Sequence, residues 1–576
     1  MIARVAPLRR LPANLDYFDY KIPQHLESDI HPGSLVKVPF RRQHLTGVVL
    51  EIVSSSTWDK IQSIVSIAAT ELTRQQIELL RHLAELYHLS ASTLLPLFVA
   101  NEPKRKNSPA ITEPTISNEV TPDTYHSWAI YDDWSSLSTY VQAAIKAAHG
   151  QTLIIVPEYY LLPLARTIAP EALVLPSKVE KLAYWQAWEQ SHAAPVIIGT
   201  FHSLFLPFHN LQQLVVIDAE NTQLHRSEQN PRLHLSDFIG HYQRLYGCKL
   251  LLASPSPNCN LFQATRQTAL PVKSIEHKSK AVTTVDMTSE RNSGGRGLLS
   301  QAAQEAAVHS PKTLLYLNHY GTANMVACGR CKWIAECPRC HRALSYQPQS
   351  RDLRCWNCQL QHEAVMTCPR CYSTKLKLRS SGLSRLVREV QELWPDKKVS
   401  ILSQRLTSTI HQADIVIATS KILSTELRFD LTVAIHPDGE LWRPDFNATE
   451  ELRQHLRQLL VRSQSLLIQT ATPTHYVYQS LTNFKAFISE ELAFRQEFNY
   501  PPFATSYKIF IKDKAHAPTI QSELTTRIES QTGTTIAVRD DTYLIIRGSL
   551  SHDFIDNLIK TYNNRILIEI NPYQWS

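Results

Sequence analysis

The chain has 576 residues, 43% hydrophobic and 19% charged, with a formal net charge of +7, and only 15 glycines. That length allows several domains with real cores at roughly 150 residues each, and no run of about eighteen apolar residues suggests a membrane span. The start, MIARVAPLRRLPANLDYFDY, lacks the apolar core and small-residue cleavage site of a secretory signal, so a cytoplasmic protein is expected, with a charge that permits a polyanionic partner.

Up to about residue 70, apolar and polar residues alternate between turn signals (PGSLVKVPFRR, LTGVVLEIV), which predicts a small β domain. Residues 71–100 carry helical spacing in LTRQQIELLRHLAELYHL, and 101–123 are a linker by composition, rich in Pro, Ser, Asn and charge. Short apolar runs then alternate with helical stretches: TLIIVPE, PVIIGT, LVVIDAE and KLLLASP over 124–310, and TLLYLNH, VSILS, DIVIATS, LTVAIHP and SLLIQTA from 311 to 470. Such runs predict buried parallel strands in βαβ units, hence two α/β lobes. The order β-α-β-β-α-β over 471–576 predicts a ferredoxin-like α+β domain.

Eight of the ten cysteines fall in one insert, 328–374, as four Cys-x-x-Cys pairs: Cys328/Cys331, Cys337/Cys340, Cys355/Cys358 and Cys368/Cys371. Two intervening residues let both sulfurs of a pair turn toward one tetrahedral ion at about 2.3 Å. Four pairs supply two closed thiolate zinc sites, structural and not catalytic. Disulfides fit poorly in a long chain without a secretory signal, and redox dithiols come singly. Which pairs share an ion is open from spacing alone. Cys248 and Cys259 stand apart and are read as buried small hydrophobes. His362 is a spare beside a complete sulfur set.

Two α/β lobes, the eight-cysteine insert and an N-terminal β domain together resemble the PriA family, the primosomal protein N′ of bacterial replication restart. The likeness extends to YLNHYGTANMVACGRC, ECPRCHRALSY and LRCWNCQLQH around the cysteines, and to YFDYKIP and VPFRRQHLTGVVLE near the start. VPE at Val156–Glu158, GTFHSLFLPFHNL at Gly199–Leu211, PRLHLSDF at Pro231–Phe238 and EELAFRQEFNYPPF at Glu490–Phe503 follow in the same order. The resemblance implies two RecA-like helicase lobes, a 3′-DNA-end-binding N-terminal domain, a reduced winged-helix-like pair and two zinc ions. It nests the ligands as Cys328, Cys331, Cys368, Cys371 and Cys337, Cys340, Cys355, Cys358. It also implies branched or single-stranded DNA with a 3′ end as partner, together with other primosome proteins, single-stranded-DNA-binding protein and helicase-loading factors. Asp19 and Lys60 match positions that hold the 3′-terminal nucleotide.

The family's motor chemistry is not written here. A phosphate loop needs glycines, a lysine and a hydroxyl, GxTGSGKT in the family. The corresponding stretch is IYDDWSSLSTYVQAAIKAA, with Ser136 at the lysine position, Leu137 at the hydroxyl position, and Asp132 and Asp133 where phosphate would sit. The DEEH box reads Asp218-Ala219-Glu220-Asn221, leaving Asp218 as a remnant metal-holding acid, GSATPS reads ASPSPN, and only Arg462 stands near the arginine motif. Four losses together predict a non-motor; ATP and Mg²⁺ as cofactors are doubtful. What remains is binding, since Lys and Arg contacts to phosphate carry most nucleic-acid affinity. Candidates are Arg9, Arg10, Arg41, Arg42, Lys60, Lys104, Arg105 and Lys106, with His225, Arg226, Arg232 and His234 as a reduced single-strand contact and Trp333 and Trp356 as stacking or packing residues. The rival expectations are an active ATP-dependent 3′-to-5′ helicase and a zinc-stabilised scaffold without DNA binding.

Overall fold

The structure is a computed structural model describing residues 1–9, 11, 16–58, 60–99, 127–176, 181–224, 231–266, 270–275, 280–294, 297–318, 325–331, 333, 335, 338, 344–347, 352–354, 360–379, 382–402, 408–441, 445–531, 533–540 and 543–572. Arg10, Lys104, Arg105, Lys106, His225, Arg226, Trp356 and the inner cysteines Cys337, Cys340, Cys355 and Cys358 lie outside them. Among the described residues no helix is long and apolar enough to cross a membrane. The chain forms two compact units, one of residues 1–276 with 492–575 and one of residues 277–491.

The first unit begins with a five-stranded antiparallel sheet in the order Phe18–Lys21, Ile2–Pro7, Gln43–Val53, Ser34–Phe40, Ser66–Glu71. Alternation buries Ala3, Val5, Val36, Val38 and Val49 on one core. Gly33 enters this sheet at φ 106, where a Cβ would meet the Leu72 carbonyl oxygen at 2.5 Å. Thr73 then starts helix Arg74–Leu86 through a reciprocal capping box with Gln76, whose side-chain amide also donates to the Phe205 carbonyl at 2.8 Å. Helix Ala91–Phe98 follows, and both helices share a core with the first lobe.

That lobe is a seven-stranded sheet in the order Val272–Ile275, Ser127–Tyr131, Lys249–Ser254, Leu211–Ile217, Gln151–Ile155, Val196–Gly199, Leu173–Val174, parallel throughout. The same unit ends in a four-stranded antiparallel sheet ordered Thr535–Asp540, Tyr543–Arg547, Ser506–Ile511, Ile566–Ile570, with helices Ala517–Glu529 and His552–Tyr562. This is the split-βαβ arrangement.

The second unit holds a six-stranded parallel sheet, Ala281–Asp286, Ser463–Thr470, Phe429–Ile435, Thr313–Tyr316, Ile415–Ala418, Val399–Leu402. Its insert is a separate five-stranded antiparallel sheet, from Met325–Cys328 to Leu376–Arg379. The lobes therefore divide near residue 276, not at 310. Strand Ala281–Asp286 (AVTTVD) is a half-exposed edge strand and lacks the continuous apolar run that marks the central ones. Likewise the split-βαβ domain begins at Ser506, well after 471, because Ser463–Thr470 completes the preceding sheet and helix Phe484–Glu497 intervenes.

Candidate metal centre and nucleic-acid interface

The insert brings its outer two cysteine pairs together. Cys328 and Cys371 sulfurs lie 3.6 Å apart, as do those of Cys331 and Cys368. A tetrahedron with 2.3 Å metal–sulfur bonds has edges of about 3.8 Å, whereas a disulfide needs about 2.05 Å. Four thiols at this spacing fit zinc and not disulfides. Cys328 and Cys368 are buried and their partners half-buried. Each pair sits on a tight turn. Arg330 N–H points at Cys328 Sγ (3.4 Å), and Cys328 N–H donates to the Trp333 carbonyl (2.7 Å). On the other side Tyr372, at φ 55, turns its N–H back to the Cys368 carbonyl at 2.8 Å. Trp333 packs against Val326, Ala335, Leu344 and Leu353, which places it in the module's small core. His362 is exposed and lies 2.9 Å from the Glu363 carbonyl through Nδ1.

The first lobe opens with a strand–turn–helix whose turn is two residues long. Strand Ser127–Tyr131 passes through Asp132 and Asp133 directly into helix Trp134–Lys146. Asp133 is the N-cap. Its carboxylate accepts from Ser136 N–H (3.0 Å), Ser136 Oγ (2.5 Å) and Ser135 Oγ (2.5 Å). Burial works against its charge, but the Ser135 and Ser136 hydroxyls and N–H groups outweigh it and hold the carboxyl at about 2. The helix end is thus supplied with an anion from its own chain.

Asp218, at φ 50 just past strand Leu211–Ile217, is buried and accepts a short hydrogen bond from the Tyr131 hydroxyl. Glu220 is buried too and accepts from Ser254 Oγ at 2.6 Å. Asn258 caps the next helix through Leu261 N–H at 3.0 Å. In the second unit Arg462 is buried, with its guanidinium spent on the carbonyls of Leu423 (2.7 Å), Thr425 (3.2 Å) and Gln458 (3.1 Å) and on Gln458 Oε1 (2.6 Å). Cys248 and Cys259 are buried, and burial pushes the Cys248 thiol up to about 12, leaving it unreactive.

On the N-terminal sheet, Arg41 and Arg42 form the two-residue hairpin between paired Phe40 and Gln43, with Arg41 at φ 57 and both side chains exposed. The Arg9 and Arg41 guanidiniums lie 5.7 and 5.8 Å from the Phe40 ring centroid, and Phe18 meets that ring edge-on at 5.4 Å. Asp19 pairs across the sheet from Arg4. Its carboxylate is nearly enclosed: Ser56 donates a short hydrogen bond to Oδ2, and Arg4 Nε lies 3.9 Å from Oδ1. Asp19 thereby pins the loop after strand Gln43–Val53 against its own strand. That loop carries Lys60, exposed, and Trp58, 68% exposed. Lys21 N–H to the Gln62 carbonyl (2.8 Å) fixes the loop's return.

The sequence alone does not single out Ser56, Trp58 or Phe40. A lone tryptophan in the polar run SSSTWDK was the available signal for Trp58. Two expected strand contacts are placed inside the protein instead. Arg232 is ion-paired to Glu569 and stacks over Phe510 at 4.5 Å, and His234 is buried, 3.8 Å from Glu569. They join the first lobe to the C-terminal sheet, with His234 buried and Arg232 partly exposed.

Residues 10–99 match the family model of the PriA 3′DNA-binding domain (3′BD). The replication restart protein PriA of Rickettsia conorii is 26% identical over 577 residues, covering 90% of this chain and 88% of its own length. That of Rickettsia prowazekii is 25% identical over 570 residues, covering 88% and 87%. The Bacillus subtilis protein of the same name is 25% identical over 405 residues, covering 63% of this chain, and the chain spans half of that relative's length. Among solved structures, the DUF1998 helicase MrfA bound to DNA covers 73% of the chain at 10% identity with a TM-score of 0.34, a loose superposition. The match to the PriA 3′DNA-binding domain near its start and to PriA relatives along most of its length makes the chain similar to PriA proteins.

Proposed function

We propose that this chain binds branched DNA carrying a 3′ end and serves in replication restart as a platform, without ATP-driven unwinding. The observation that carries the reading is the Asp133 carboxylate at the start of helix Trp134–Lys146. A helix N-terminus is a natural phosphate site, and here a fixed carboxylate takes the N–H and hydroxyl groups that phosphate would use. An incoming triphosphate would meet like charge in a turn with no lysine or glycine. Tyr131 on Asp218 and backbone carbonyls around Arg462 are further support: the remnants of metal binding and of the arginine motif serve the fold. An arginine finger alone contributes about 10³–10⁵ in rate, so losing it together with the phosphate cradle leaves no useful turnover.

For DNA, the reading rests on the matched 3′DNA-binding domain and on the basic and aromatic groups its sheet exposes: Arg9, Arg41, Arg42, Trp58 and Lys60. Lysine and arginine would hold phosphate, and Trp58 would stack on a base. Two zinc ions, the second on Cys337, Cys340, Cys355 and Cys358, complete the proposed module; its partners would be primosome proteins, single-stranded-DNA-binding protein and helicase-loading factors. The test is fluorescence anisotropy on forks whose arm ends in a 3′-hydroxyl or a 3′-phosphate, at several salt concentrations. The reading expects a negative log–log salt slope and weaker binding to the blocked end. No slope and no end preference would overturn it in favour of a scaffold without DNA binding.

A further inference from the structure

His552 and Asp556 stand at i and i+4 of helix His552–Tyr562, a spacing that sets both side chains on one face. A third group, His88, arrives from 468 positions earlier in the sequence and packs against them. It follows helix Arg74–Leu86 at φ 49, a left-handed backbone that a non-glycine residue adopts only when its surroundings require it. Its side chain is 3% exposed. Nδ1 lies 2.6 Å from Asp556 Oδ1, and the His88 and His552 ring centroids are 3.8 Å apart. One nitrogen or oxygen of each of the three residues lies within 4.8 Å of the others.

All three line an open cavity of ≈ 680 Å³ whose other charged groups are Asp16, Glu51 and Glu85 and, of opposite sign, Arg4, Arg81 and Lys560.

We propose that His88, His552 and Asp556 form a site for a divalent transition-metal ion, separate from the cysteine module. Two imidazole nitrogens and one carboxylate suit Zn²⁺, Ni²⁺ or Co²⁺ at about 2.0–2.2 Å, and three protein ligands leave a position open toward the cavity. The 2.6 Å hydrogen bond between His88 and Asp556 is the arrangement with a proton in the metal's place. Bound there, the ion ties the last helix of the C-terminal domain to the end of the N-terminal helical segment, joining chain ends that are remote in sequence.

The experiment uses tag-free, zinc-replete full chain titrated with Ni²⁺ by calorimetry and with Co²⁺ by absorbance. The wild type should take up one equivalent beyond its thiolate-bound metal. The added Co²⁺ should give d–d bands without a thiolate charge-transfer band. His552→Ala and Asp556→Asn, both at solvent-accessible side chains, should weaken that equivalent by at least about 10–100-fold. Ni²⁺ should raise the melting temperature of the wild type alone, while the melting temperatures without added Ni²⁺ agree. Equal Ni²⁺ stoichiometry and affinity in the wild type and both variants, or Co²⁺ uptake with thiolate charge transfer only, would overturn the proposal.

Discussion

The cysteine module and the turn at Asp132–Ser136 are both short segments whose chemistry depends on a few donor atoms, yet they have fared differently. In the module the outer four sulfurs stand 3.6 Å apart in pairs, near the edge length zinc requires. In the turn the Ser135 and Ser136 hydroxyls and the Ser136 N–H donate to Asp133, which supplies the anion itself. A ligand site that also holds up its own fold is costly to lose. A turn on a parallel sheet needs no bound ligand to stand: one N-capping carboxylate holds the start of helix Trp134–Lys146. The contrast is between sulfurs set for a shared ion and a turn held by its own carboxylate.

Removing metal is the strongest way to break this contrast. Structural zinc contributes roughly 10–16 kcal/mol of folding free energy in small modules, so chelation or Cys368→Ser should unfold residues 325–379 while the parallel sheets persist. Limited proteolysis with metal analysis reads this directly; a protease-resistant, zinc-free module would mean that the sulfurs are incidental. On the N-terminal sheet, Trp58→Ala should cost about 1–3 kcal/mol in single-strand affinity if the exposed ring stacks on a base, measured by anisotropy at fixed salt.

Asp133→Ala should lower stability by about 0.5–2 kcal/mol in chemical denaturation, the usual worth of an N-cap, and should not create ATP hydrolysis. Because the folded carboxyl is held at about 2, below its ordinary 3.8, its contribution is fully present above pH 4 or so and is lost as pH falls through about 2. In Asp133→Asn that acid-side dependence should flatten. The smallest effect belongs to Lys60→Ala, which should reduce the salt slope of fork binding by about one without altering base preference.

Much of this was legible because its signals are local. Four Cys-x-x-Cys pairs, the alternation of the N-terminal sheet and the β-α-β-β-α-β order of the C-terminal domain each sit within a short window. The sequence also places Asp132 and Asp133 directly before a helical stretch. It did not show that Asp133 caps the helix, because capping depends on a turn only two residues long. The edge strand Ala281–Asp286 hid behind its threonines. Arg232 and His234 looked like solvent-facing cations because their partner, Glu569, lies 337 positions beyond Arg232. Trp58 was bypassed since its exposure depends on how Asp19 and Ser56 pin the loop.

The most direct test measures fork binding and ATP hydrolysis on one zinc-assayed preparation of the full chain. The account predicts salt-sensitive fork binding with no hydrolysis above background, whether or not DNA is present. DNA-stimulated turnover that disappears in Asp218→Ala would contradict it.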